Sequence, residues 1–266
     1  MTKTLTAAVL ILLSLVACQA SQVGVGVACA ETQGTTDLMH LGQAEVGEGF
    51  PYTINVYLPP CYEIEAEREY PILYLFPGRG SGPTTWFDAG VTGVADQMIR
   101  DEEIPPLIMV ALENVEGDLL AENFTNNVFP YVEGRFRILD GARYHAIGGG
   151  SMGGAPSYRM AFRYPELFSS AALFGSGIIL GEEGQVREWL DAIPAWRLPR
   201  VFLNTGFQDD LLMPRAEEFK DIVSEFGIEP YTVFSEGGHN YPYWVSNFPV
   251  YLRWLAEGWQ EFSILL

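Results

Sequence analysis

Ala146 to Pro156 reads AIGGGSMGGAP, and the fold turns on how this stretch is read. It holds one serine and one methionine among five glycines and two alanines, and its glycines begin directly after the short apolar run Tyr144 to Ile147. Within it, Gly149-Gly150-Ser151-Met152-Gly153 satisfies G-x-S-x-G, where a strained strand-to-helix turn lifts a serine hydroxyl above the edge of a sheet. Such a turn brings backbone segments too close for a Cβ, so both flanks call for glycine. In a chain with 28 glycines the pattern alone is a weak signal. Its setting strengthens it, because an apolar run precedes the serine and Gly153, Gly154 and Ala155 can open a helix.

The segments on either side repeat that alternation of strand and helix. Tyr52, Ile54, Val56 and Leu58 alternate with Thr53, Asn55 and Tyr57, which predicts a half-buried strand stopped by Pro59-Pro60. Ile72 to Phe76 is an unbroken apolar run between Pro71 and Pro77-Gly78, as expected of a central strand covered on both faces, and Leu107 to Leu112 repeats the pattern. Val91 to Arg100 reads as helix, and Phe124, Val128, Val132 and Phe136 recur every four residues despite Pro130. Further on come strands at Ala171 to Phe174, Val201 to Leu203 and Tyr231 to Phe234. Helices are expected from Arg215 to Phe226, ended by Gly227, and from about Tyr243 to Trp259. The expected fold class is therefore α/β: an open, mostly parallel sheet with helices on both faces, and reactive groups at the carboxyl ends of its strands.

A nucleophilic serine needs a base, and the chain has three histidines. His40 lies in a weakly patterned region and His145 lies inside the strand before the serine, where a structural role is expected. His239, in the loop Glu236-Gly237-Gly238-His239 after a strand, is the candidate base. The acid should fall between serine and histidine at the end of a strand. Val201 to Leu203 leads into Asn204-Thr205-Gly206-Phe207-Gln208-Asp209-Asp210, so Asp209 and Asp210 both qualify. Acyl transfer also requires hydrogen-bond donors for the developing oxyanion. The amide of Met152 supplies one, and the loop Phe76-Pro77-Gly78-Arg79-Gly80 should supply the other; proline cannot donate, and Arg79 follows the glycine. Trp86 and Phe87 lie just downstream, placed to wall an acyl or alcohol pocket.

Together these residues resemble the putative-esterase, or esterase D-like and feruloyl esterase-like, branch of the α/β-hydrolase superfamily. The resemblance spans about Pro51 to Trp259. It rests on Val56-Tyr57-Leu58-Pro59-Pro60-Cys61-Tyr62, Tyr70-Pro71-Ile72-Leu73-Tyr74-Leu75, Gly149 to Gly154, Gly206 to Asp209, and Gly237-Gly238-His239 with Trp244 beyond. It implies a serine carboxylic-ester hydrolase working through an acyl-enzyme on a small-molecule or glycan-linked ester. The implied triad is Ser151, His239 and Asp209, since the family acid comes three residues after the glycine; Arg79 and Met152 amides form the oxyanion hole, and Trp86 and Trp244 line the pocket. The same resemblance leaves open an acyltransferase with an alcohol acceptor, or an inactive surface-tethered binding protein. Where the family usually carries His-Gly, this chain has Pro77-Gly78. The Arg79 side chain is then expected to point toward the mouth and favour acidic esters.

The amino-terminal residues and the composition set the surroundings. Lys3 followed by the apolar stretch Leu5 to Ala17 reads as an export signal over residues 1–17, and Leu15-Val16-Ala17-Cys18 resembles a bacterial lipobox with Cys18 as the lipidated residue. Residues 18–49 are expected to be a tether and lead-in segment, and residues 50–266 a single catalytic domain. The expected location is periplasmic or cell-surface, with membrane contact only through the lipid anchor. Cys29 and Cys61 could then pair in an oxidising compartment. A formal net charge of −19, from 15 Lys+Arg against 34 Asp+Glu, would repel phosphate backbones and argues against nucleic-acid binding. No histidine, cysteine or carboxylate spacing suits a metal, so no metal or organic cofactor is expected.

Overall fold

The computed structural model describes residues 33–46, 52–113 and 123–260. The expected signal segment, Cys18 and Cys29 lie outside them. Cys61 is disulfide-bonded.

Eight strands form one sheet: β1 (Thr35–Leu41), β2 (Tyr52–Leu58), β3 (Ile72–Phe76), β4 (Ile108–Leu112), β5 (His145–Gly150), β6 (Ser170–Phe174), β7 (Arg200–Gly206) and β8 (Tyr231–Ser235). Their spatial order is β1-β2-β4-β3-β5-β6-β7-β8. Only β2 runs against its neighbours, and every other adjacent pair is parallel. The helices are α1 (Val91–Arg100), α2 (Phe129–Arg135), α3 (Gly154–Arg163), α4 (Glu183–Ala192), α5 (Met213–Ser224) and α6 (Tyr241–Gln260), with short helical turns between some of them. This is the α/β-hydrolase arrangement.

The central strands are apolar without a break because both faces are covered. Along β3, Ile72, Tyr74 and Phe76 join one core with Phe124, Tyr158 and Phe219, while Leu73 and Leu75 join a second core with Trp86, Trp244 and Phe248. A period of two thus divides each strand between two helical layers. The residues Phe124, Val128 and Val132, spaced by four, are all buried, but a π-helical turn over Phe124–Val128 precedes α2. Pro130 sits at the start of α2, where its missing N–H removes no intrahelical bond.

Two elements were not foreseen. Part of the stretch expected to be tether and lead-in is β1, which pairs antiparallel with β2 at the sheet edge. Most of its residues are exposed, so it carries no inward-outward alternation to read. The helix α4 buries only Val186 and Leu190 along its length, too thin a stripe to stand out.

Register aligns the carboxyl ends that matter. Phe76 pairs with Gly149, Gly150 with Phe174, Phe174 with Asn204, and Gly206 with Ser235. The loops that follow β3, β5, β7 and β8 therefore emerge on one edge of the sheet.

Candidate active site

Ser151 is the first residue beyond β5 and has φ +53°, in the left-handed region that a residue with a Cβ adopts only under strain. Close packing holds it there. A Cβ on Gly153 would lie 2.6 Å from the carbonyl oxygens of Phe76 and Pro77, so the first turn of the following helix presses directly on the end of β3. A Cβ on Gly150 would meet the Trp244 ring at 2.7 Å and that of Trp86 at 3.1 Å. The glycines are thus required by a backbone wedged between β3 and an aromatic bed.

His239 reaches the serine from the loop after β8, with Nε2 2.8 Å from Ser151 Oγ. Its Nδ1 lies 2.6 Å from Asp209 Oδ2, in the loop after β7. A carboxylate only accepts, so Nδ1–H donates to Asp209, and the neutral ring then presents Nε2 as acceptor to the serine hydroxyl. Asp209 is 5% exposed, whereas Asp210 is exposed and makes no such contact. Of the two acids that the strand pattern leaves open, the structure brings to the histidine Asp209, the one the family resemblance implies. The other histidines stand elsewhere: His40 Nδ1 pairs with Thr53 Oγ1 on β2, and buried His145 faces the carbonyls of Leu167 and Leu139.

The two loops carrying Asp209 and His239 are tied to each other. Gln208 N–H donates to Gly237 O at 2.9 Å, the Gln208 side chain receives Gly237 N–H, and it also bonds Glu236. The Trp244 ring stands edge-on to His239, with centroids 5.2 Å apart. Trp86 donates its indole N–H to Phe76 O at 2.8 Å and packs on Trp244. Both tryptophans were expected to line a pocket, and the structure buries them, at 0% and 2% exposure. They form the bed beneath the Ser151 turn and His239.

The loop after β3 faces the serine. A Cβ on Gly78 would lie 3.5 Å from Ser151 Cβ. Arg79 follows on the surface, and its Nε donates to Met152 Sδ at 3.5 Å, which lays the guanidinium beside the residue next to the serine. One further group stands here that no sequence pattern singles out. Tyr241, the first residue of α6, accepts the Gly78 N–H on its hydroxyl at 3.0 Å. In the sequence it is one more aromatic in a helix full of them. Among the described residues no cluster of histidine, cysteine and carboxylate groups could hold a metal ion.

Comparison with known proteins gives this geometry a family setting. The model of the “Putative esterase” family matches residues 49–255. An endo-1,4-beta-xylanase/feruloyl esterase of Xylanibacter ruminicola is 31% identical over 147 residues, which is 49% of this chain and only 20% of that protein. Among solved structures, a ferulic acid esterase superposes with TM-score 0.74 at 21% identity, covering 85% of this chain and 99% of its own. The fluorophosphonate-binding serine hydrolase F of Staphylococcus aureus does so with TM-score 0.69 at 18% identity, covering 85% and 99%.

Proposed function

We propose that this chain, which belongs to the “Putative esterase” family and has the α/β-hydrolase fold, is a serine carboxylic-ester hydrolase. The observation that carries the reading is the continuous relay from Ser151 Oγ through His239 to buried Asp209, at 2.8 and 2.6 Å, beginning on a serine held at φ +53°. In the proposed mechanism Ser151 attacks the ester carbonyl while His239 takes its proton, and Asp209 holds the imidazole tautomer and stabilises the imidazolium. The carbonyl oxygen gains the electron pair, and the amides of Met152 and Arg79 stabilise it. Collapse expels the alcohol, which takes the proton back from His239. Water, deprotonated by His239, then attacks the acyl-enzyme and releases the acid. Family membership and the feruloyl esterase in the matched relative's name support esters of aromatic acids, free or glycan-linked, as the first substrates to assay.

A fluorophosphonate probe tests the nucleophile directly, because it phosphonylates only an activated serine. The expected result is one adduct on Ser151, abolished in Ser151→Ala and strongly reduced in His239→Ala, with both variants folded by circular dichroism. Folded wild-type protein that takes no label would overturn the reading.

A further inference from the structure

We propose that the Tyr241 hydroxyl is a third donor to the oxyanion, a catalytic role for a side chain that resembles a core aromatic. The inference rests on the esterase reading above and deepens it. The Tyr241 ring is held edge-on against two buried indoles, with centroids 5.1 Å from Trp86 and 4.8 Å from Trp244. That packing fixes where the hydroxyl stands. The oxygen spends a lone pair on the Gly78 N–H at 3.0 Å. Its own proton finds no acceptor among the described residues.

In the proposed complex the scissile carbonyl oxygen enters the space this proton addresses. Gly78 has no side chain, and the point where its Cβ would stand is 3.7 Å from the Tyr241 hydroxyl and 3.5 Å from Ser151 Cβ. The hydroxyl and the Ser151 side chain therefore both lie within 4 Å of one point over Gly78, and the next backbone donor along the loop is Arg79. Pro77, just before, has no N–H to offer. Accepting the Gly78 hydrogen bond also polarises the phenol and strengthens it as a donor.

In the proposed step no proton moves from Tyr241. Ser151 Oγ forms a bond to the carbonyl carbon, the C=O π pair moves onto oxygen, and the phenol donates a hydrogen bond to that oxyanion beside the two amides. When the intermediate collapses, the pair returns to re-form C=O as the C–O bond to the alcohol breaks. The interaction is strongest when the charge is greatest, so it lowers the barrier rather than tightening substrate binding.

The test compares Tyr241→Phe with wild type on a p-nitrophenyl ester and on an aryl trifluoromethyl ketone, whose serine adduct bears a tetrahedral oxyanion. Loss of one such donor should lower kcat by about a hundredfold with KM little changed. The inhibition constant of the ketone should rise by a similar factor. Because the phenylalanine also removes the hydroxyl that accepts the Gly78 N–H, a second variant carries 3-fluorotyrosine at position 241, which keeps the acceptor and makes the phenol a stronger donor; it should bind the ketone more tightly than wild type. Unchanged kcat and ketone affinity in Tyr241→Phe, or a loss in kcat with ketone affinity unaltered in both variants, would overturn the proposal. If wild-type protein labels with fluorophosphonate on Ser151, that failure leaves the esterase reading standing; absence of label removes both.

Discussion

Asp209 uses its two oxygens for different partners: Oδ2 faces His239 Nδ1 at 2.6 Å, and Oδ1 takes the Leu212 N–H at 3.2 Å. An asparagine would keep Oδ1 on Leu212 and turn its NH2 group toward the imidazole, forcing Nδ1 to accept and Nε2 to carry the proton. The serine would then face a donor instead of a base. Asp209→Asn should lower kcat by on the order of 10⁴-fold with the fold intact, while Asp210→Asn should be nearly silent; steady-state kinetics and a thermal melt of each check this. Equal effects from the two substitutions would contradict the assignment. The strand pattern leaves these neighbours balanced, since both follow the same strand and both suit a turn, and only the spacing of the family resemblance, three residues after Gly206, points to Asp209. What separates them is burial, which depends on how the β8 loop folds over the β7 loop. Ser151 and His239 were legible because each has few competitors, one by its glycine setting and one by scarcity. Tyr241 was not, because its proposed role depends on a hydroxyl meeting the backbone of Gly78, 163 residues away in the chain.

At the scale of elements, α2 lays a carboxylate against the sheet. Glu133 receives the Tyr74 O–H from β3 at 3.1 Å, and its other oxygen lies 3.6 Å from His145 Nε2 on β5. Burial pushes the Glu133 carboxyl up to about 7; the Tyr74 bond opposes this and the nearby Asp140 charge reinforces it. Burial pushes the His145 imidazole down, against the carbonyls of Leu167 and Leu139 and the charge of Asp140. The two titrations act in opposite directions. Folded Glu133 holds its proton more tightly than the unfolded chain, so its contribution is full below its ordinary value of 4.5 and is lost as pH rises through about 7. Folded His145 holds its proton less tightly, so its contribution is full above 6.5 and is lost as pH falls below it. Glutamine at 133 still accepts the Tyr74 O–H and never ionises. Urea melts at pH 5 and pH 8 should therefore show Glu133→Gln gaining on wild type at the higher pH by on the order of 1–3 kcal/mol. A difference independent of pH would mean that Glu133 is charged throughout. The strands that frame this cluster were readable because they are apolar on both faces, and β2 because it alternates. The edge strand β1 and the helix α4 bury too little for their periods to show, so their positions come from pairing and packing across the sheet.

Across the whole molecule, 34 acidic against 15 basic residues set a field that repels anions, yet Arg79 stands exposed beside the serine turn with its Nε on Met152 Sδ. The two effects differ in range. The overall charge acts over a screening length of about 10 Å at 0.1 M salt and weakens as salt is added, whereas a guanidinium within contact of a bound carboxylate is screened far less. Diffusional capture of an acidic ester should therefore be slowed by the field, and its retention beside Ser151 favoured by Arg79. A matched pair of substrates, one neutral ester and one of the same size ending in a free carboxylate, separates these contributions. In wild type, kcat/KM for the acidic ester should rise with salt while that for the neutral ester stays level. Arg79→Gln should lower the acidic-to-neutral ratio severalfold at every salt concentration, because it removes the short-range attraction and leaves the field almost unchanged. The proposed oxyanion donor at this position is the backbone N–H, which glutamine retains, so kcat for the neutral ester should barely move. A ratio unaffected by the substitution would show that the guanidinium does not meet the substrate, and would leave Arg79 contributing only its amide.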